Sequence, residues 1–144
     1  MENQDTRHLL KECDAGSKMA VTSLNDMIGY VKSESLHKLL KETLEHHENL
    51  GNEIHELLNR CACSEKDPNP IAKGMSWLKT NVKLTMDDDD KTIADLITDG
   101  CNMGVKSLKK YMNQYPNAHQ DIKRICNKLI NIEEQLAKEL AQYL

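Results

Sequence analysis

Apolar residues recur every three or four positions along four long stretches of this chain, the signature of amphipathic helices packed on one core. The first stripe runs Leu9, Cys13, Gly16/Ser17, Ala20, Leu24, Met27/Ile28 and Val31, predicting a helix over about residues 5–31. Gly29 and Ser33 mark a turn. A second stripe then runs Leu36, Leu40, Thr43/Leu44, His47, Leu50, Ile54, Leu57 and Cys61, a helix over about 34–61. The short connection predicts that these two fold back antiparallel on each other.

The pattern breaks at SEKDPNP, residues 64–70, because Pro68 and Pro70 cannot sit inside a helix. Asn69 and Pro70 instead read as an N-cap and first helical position of a short amphipathic helix over about 70–84, carrying Ile71, Met75, Leu78 and Val82. The run Asp87 to Asp90 reads as an exposed acidic loop entering a helix N-terminus, where negative charge complements the dipole. A third long stripe follows: Ile93, Leu96/Ile97, Gly100, Met103/Gly104, Leu108 and Tyr111, ended by Tyr115-Pro116. Asn117 and Gln120 have the form of a capping box. The last stripe is Ile122, Ile125/Cys126, Leu129, Ile132/Glu133, Leu136, Leu140 and Tyr143.

Roughly 25 residues separate the second and third long helices, enough for a short helix to carry the chain from one end of a bundle to the other. The expectation is therefore all-α: one domain over residues 1–144, a four-helix bundle of up-down-down-up order with a short helix in the crossover.

Composition supports helix and narrows function. The chain has 144 residues, no Phe, one Trp and four Tyr, and its apolar residues are mainly Leu, Ile, Met and Ala. A net charge of −4 with dispersed lysines argues against a nucleic-acid partner. No run approaches the ~20 apolar residues of a membrane span, and the polar, acidic N-terminus lacks a signal-peptide core. A cytoplasmic protein is expected, with Cys13, Cys61, Cys63, Cys101 and Cys126 as reduced thiols.

The helix order, together with the Trp-containing segment GMSWLK (residues 74–79) in the crossover, resembles the ferritin-like superfamily, in particular small bacterial ferritin-like proteins of unassigned function. The resemblance covers nearly the whole chain and rests on helix lengths and stripe pattern. It implies the bundle fold and raises the question of metal chemistry. A ferritin-like di-iron centre takes a Glu from each of two helices and a Glu-x-x-His from each of the other two. This chain has one Glu-x-x-His, Glu34 to His37, at the end of its helix, and the third long helix carries no Glu. A di-iron centre is not expected.

Some polar residues nonetheless fall on inward stripes. His47 lies between Thr43 and Leu50, and Glu133 between Leu129 and Leu136, both near mid-helix. Gly16, Ser17 and Gly100 fall at a similar level. His47 and Glu133 could hold iron, manganese or zinc, with Glu12 or Asp14 adding oxygen and Cys13 or Cys101 sulfur; alternatively they hydrogen-bond each other. Gly100 and Gly104 suggest a close helix approach, with a pocket as the alternative, Cys61-Ala62-Cys63 a core thiol beside a loop thiol, and Glu42, Glu45 and Glu48 a solvated acidic face.

No nucleophile–base constellation, phosphate loop or cofactor fingerprint is present. The expectation is a non-enzymatic bundle without a cofactor, self-associating as a homo-oligomer, in the first instance a dimer. Met19, Val21, Leu39, Leu58 and Met112 are candidates for the shared surface. The alternative is a metal-binding protein using His47 and Glu133. A thiol sensor using Cys61 and Cys63 is a third.

Overall fold

The computed structural model describes residues 3–61 and 89–144. Four long helices account for nearly all of them, with no strand among the described residues: α1 (Gln4–Ile28), α2 (Glu34–Arg60), α3 (Asp89–Gln114) and α4 (Gln120–Leu140), followed by a 3-10 turn over Ala141–Tyr143. The expected short helix over 70–84, with Trp77, and the loop residues Cys63, Asp87 and Asp88 lie outside the described residues.

Local chemistry sets the helix ends. Asn3 caps α1 by accepting the Thr6 N–H at 2.8 Å, and Ser33 caps α2 through the Leu36 N–H at 3.3 Å. The expected Asn117 cap is not used. α4 is capped by His119, whose Nδ1 accepts the Asp121 N–H at 3.2 Å. Asn117 is engaged elsewhere: its N–H donates to Asp5 at 2.9 Å and its carbonyl accepts from Asn3 at 2.8 Å.

These contacts also fix the topology. Asn3, Asp5 and Thr6 at the start of α1 meet Asn117 and His119 between α3 and α4. At the opposite end, the Asp90 carboxylate accepts from the backbone N–H groups of Lys32 and Ser33 at 2.8 and 2.9 Å, and Tyr143 bonds Ser35 at 2.6 Å. The start of α3 therefore sits beside the start of α2. The two run parallel, and the order is up-down-down-up. In cross-section α1 packs beside α2 and α3 beside α4, leaving α2 and α3 on opposite corners.

The core comes in two parts. Towards the α1 N-terminus, Leu9, Leu10, Leu50, Ile54, Leu58, Leu108, Ile122, Ile125 and Leu129 pack with Cys13 and Cys126. Towards the other end, Leu24, Met27, Leu36, Leu40, Ile93, Ile97, Leu136 and Leu140 form a second cluster with Cys101 at its margin. Leu58, expected on an associating surface, is buried core at 1% exposure, and Met19, Val21, Leu39 and Met112 are half-buried. Leu39 and Met112 cover the two clusters from outside.

Two further expectations change. Cys61 is disulfide-bonded, whereas Cys13, Cys101 and Cys126 are free thiols, so the chain is not uniformly reduced. Its position on the inward stripe is as expected, at the buried C-cap of α2. Gly100 and Gly104 do not mark a close approach of the described helices, because a Cβ at either would meet nothing of the described residues within 4 Å. The close approach is at Gly51, where a Cβ would lie 3.2 Å from the Ser17 hydroxyl.

Candidate functional site: the polar layer at mid-bundle

Between the two apolar clusters lies a layer of buried polar side chains. The inward stripes of α1 and α2 supply Asp14, Ser17, Thr43 and His47, all under a tenth exposed. Glu133 enters from α4 and Cys101 from α3. Asp14 pairs with Lys18 one turn along α1 at 3.1 Å, which offsets the cost of burying its charge. Thr43 returns its hydroxyl to the Leu39 carbonyl at 2.9 Å, and Ser17 reaches the His47 carbonyl at 3.5 Å. Both use the residue four back or a neighbouring carbonyl, as short hydroxyl side chains in helices do.

His47 is the centre of the layer, at 1% exposure. Its Nε2 lies 2.9 Å from Glu133 Oε1. Despite that distance, neither Nε2 nor Nδ1 has a hydrogen-bond partner of good geometry among the described residues. The carboxylate sits beside the ring nitrogen but outside hydrogen-bond alignment with it. Thr98 Oγ1 on α3 is likewise buried without a hydrogen-bond partner among the described residues.

Glu133 contacts two other chemistries. Burial pushes its carboxyl pKa up, but the contact and charge of His47 and a hydrogen bond from the Cys101 thiol outweigh this and hold it below the ordinary range. The same neighbour acts oppositely on Cys101. Burial first, then repulsion from Glu133 and the hydrogen bond to it, raise the thiol well above its usual value. Cys101 is thus a neutral donor at physiological pH, unable to serve as a thiolate nucleophile or sulfur ligand without losing that proton.

The predicted pair, His47 and Glu133, is brought together across α2 and α4. Cys101, a candidate sulfur ligand, joins it through Glu133. Cys13 does not: it lies in the apolar cluster and hydrogen-bonds Cys126. Asp14 is committed to Lys18, Glu12 is half-buried, and Glu34 and His37 are exposed at the end of α2. Among the described residues, no group of three or more His, Cys, Asp or Glu side chains is arranged to hold a metal ion.

Sequence reasoning missed Thr98 and Gly51. Thr98 falls one position from the apolar pair Leu96/Ile97 and reads as stripe edge. Gly51 adjoins the stripe residue Leu50, and only the position of Ser17 on the neighbouring helix gives it meaning.

Compared with known proteins, the chain matches no family model, no curated protein and no solved structure. No helix among the described residues is long and apolar enough to cross a membrane.

Proposed function

We propose that this chain is a non-enzymatic helical-bundle protein that works through its surfaces as a self-associating homo-oligomer, and that its polar layer is structural. The observation that carries this reading is how the inward groups are spent: Glu133 on His47 and Cys101, and Asp14 on Lys18. A catalytic site would need a group left reactive, and the Cys101 thiol is held protonated. A ferritin-like ancestry and a cytoplasmic setting belong to the same reading. The helix order supports the first. The three free thiols support the second, and the disulfide at Cys61 weighs against it. The test is sedimentation velocity across a wide concentration range; a monomer throughout removes the self-association claim.

The second reading is a metal-binding protein, with iron or another transition metal held by His47 and Glu133. It is favoured by one observation: a buried imidazole with neither nitrogen in a directed hydrogen bond. Metal analysis of the purified protein and of His47→Ala decides between them. Stoichiometric metal that disappears with the substitution would replace the structural reading by this one.

A further inference from the structure

Two thiols meet inside the apolar cluster, outside the polar layer: Cys13 on α1 and Cys126 on α4, both at 0% exposure. Their helices pack against each other, although more than a hundred residues separate the two cysteines along the chain. The hydrogen bonds run in one direction. The Cys13 thiol donates to the Cys126 sulfur, and the Cys126 thiol donates to the Leu108 carbonyl of α3 at 3.8 Å. Donating makes Cys13 the weaker acid: that bond first, and then burial, raise its pKa. Accepting does the reverse for Cys126. The bond from Cys13 holds its thiol below the ordinary value, although burial pushes it up. The bundle thus holds a sulfur disposed to attack in contact with a second sulfur disposed to follow.

We propose that Cys13 and Cys126 form a concealed dithiol that a peroxide converts to a disulfide, stapling the first long helix to the last. The Cys126 thiolate attacks one oxygen of hydrogen peroxide. The O–O bond breaks, the departing hydroxide takes up a proton to become water, and Cys126 is left as a sulfenic acid. The Cys13 sulfur then attacks the Cys126 sulfur. An S–S bond forms, the S–O bond breaks, and the hydroxyl leaves as water with the proton from Cys13. Two thiols and one peroxide give one disulfide and two waters; the sulfurs lose two electrons and the peroxide gains them. Burial gates the first step, because peroxide reaches Cys126 only when the seam between α1 and α4 opens. The cross-link then closes a loop of more than a hundred residues, and long loops are those whose closure most restrains the unfolded chain. Cys101 is the internal contrast. Burial and the neighbouring Glu133 keep its thiol protonated, so it lacks the reactive form.

The experiment treats the full chain with hydrogen peroxide in buffer and in urea well below the unfolding midpoint. The reaction is quenched, remaining thiols are alkylated in denaturant, and the peptides are mapped by mass. The expected product is a linked Cys13–Cys126 peptide pair lighter by two hydrogens, formed several-fold faster in urea than in buffer, with Cys101 still alkylated. The thermal midpoint of the oxidised chain should rise by roughly 5–10 °C and return on reduction with dithiothreitol. Cys13→Ala, shown to be folded by circular dichroism, should give neither link nor rise, and its Cys126 should be trapped by a sulfenic-acid reagent. Cys13 and Cys126 that both remain alkylatable after peroxide in urea would overturn the proposal. So would a link from either to Cys61, or Cys101 oxidised as fast as Cys126. A Cys13–Cys126 link that leaves the midpoint unchanged would overturn the stapling role.

Discussion

Cysteine is used in two different ways in the interior, and the contrast explains how the bundle is built. Cys13 on α1 and Cys126 on α4 sit in the apolar cluster, both at 0% exposure. Cys13 hydrogen-bonds Cys126, and the Cys126 thiol reaches the Leu108 carbonyl at 3.8 Å. They behave as small apolar residues whose weak polarity is absorbed locally. Cys101 is also buried, but it faces a carboxylate, and its proton is part of what stabilises Glu133. One region needs only volume. The other needs a particular set of partners, so a substitution that is tolerated in the first should disturb a network in the second.

The largest effect is expected in the apolar cluster. Ile54→Ala removes a fully buried side chain and should destabilise the fold by about 2–5 kcal/mol, read from denaturant midpoints. In the polar layer Glu133→Leu should cost about 1–3 kcal/mol, because it leaves His47 buried without its anionic neighbour. The comparison sharpens with the double variant His47→Leu/Glu133→Leu. Replacing both partners by apolar groups should cost less than Glu133→Leu alone. A double variant less stable than the single would mean that His47 holds something besides Glu133.

The pH dependence follows from the same neighbours. Glu133 titrates below its ordinary value of 4.5 in the folded chain, so its carboxylate stabilises the fold above that value, and this contribution is lost as pH falls through the folded pKa. Cys101 titrates above its ordinary 9.0, so its protonated thiol favours the fold below that value and this is lost as pH rises beyond it. Stability measured against pH should therefore carry an acid fall from Glu133 and an alkaline fall from Cys101. Cys101→Ala should remove the part of the alkaline fall that this thiol contributes, and Glu133→Leu the corresponding part of the acid fall. The smallest effect separates the glycines. Gly100→Ala meets open space and should stabilise by about 0.5–1 kcal/mol, whereas Gly51→Ala presses on Ser17 and should gain clearly less in thermal unfolding.

Much of this was legible in the chain because helix periodicity is a local property. The stripes place Leu40, His47, Ile54 and Leu129 inside without reference to any other helix, and the length of the interruption between Cys61 and Asp89 implies parallel second and third helices. The ends of helices were less legible. Asn117 has the residue type of a cap, but Asp5 and Asn3, more than a hundred residues earlier, claim its backbone, and His119 caps instead.

What the sequence by itself determined is a set of four amphipathic helices, their order, and the inward positions of His47 and Glu133. Tertiary structure alone decided that these two lie 2.9 Å apart but out of line, that Cys101 joins them while Cys13 turns to Cys126, and that Gly51 rather than Gly100 marks the tight contact. The physical reason is the same throughout. Spacing along a helix fixes the face on which a side chain stands, but the height and rotation of one helix against another depend on all the contacts between them at once.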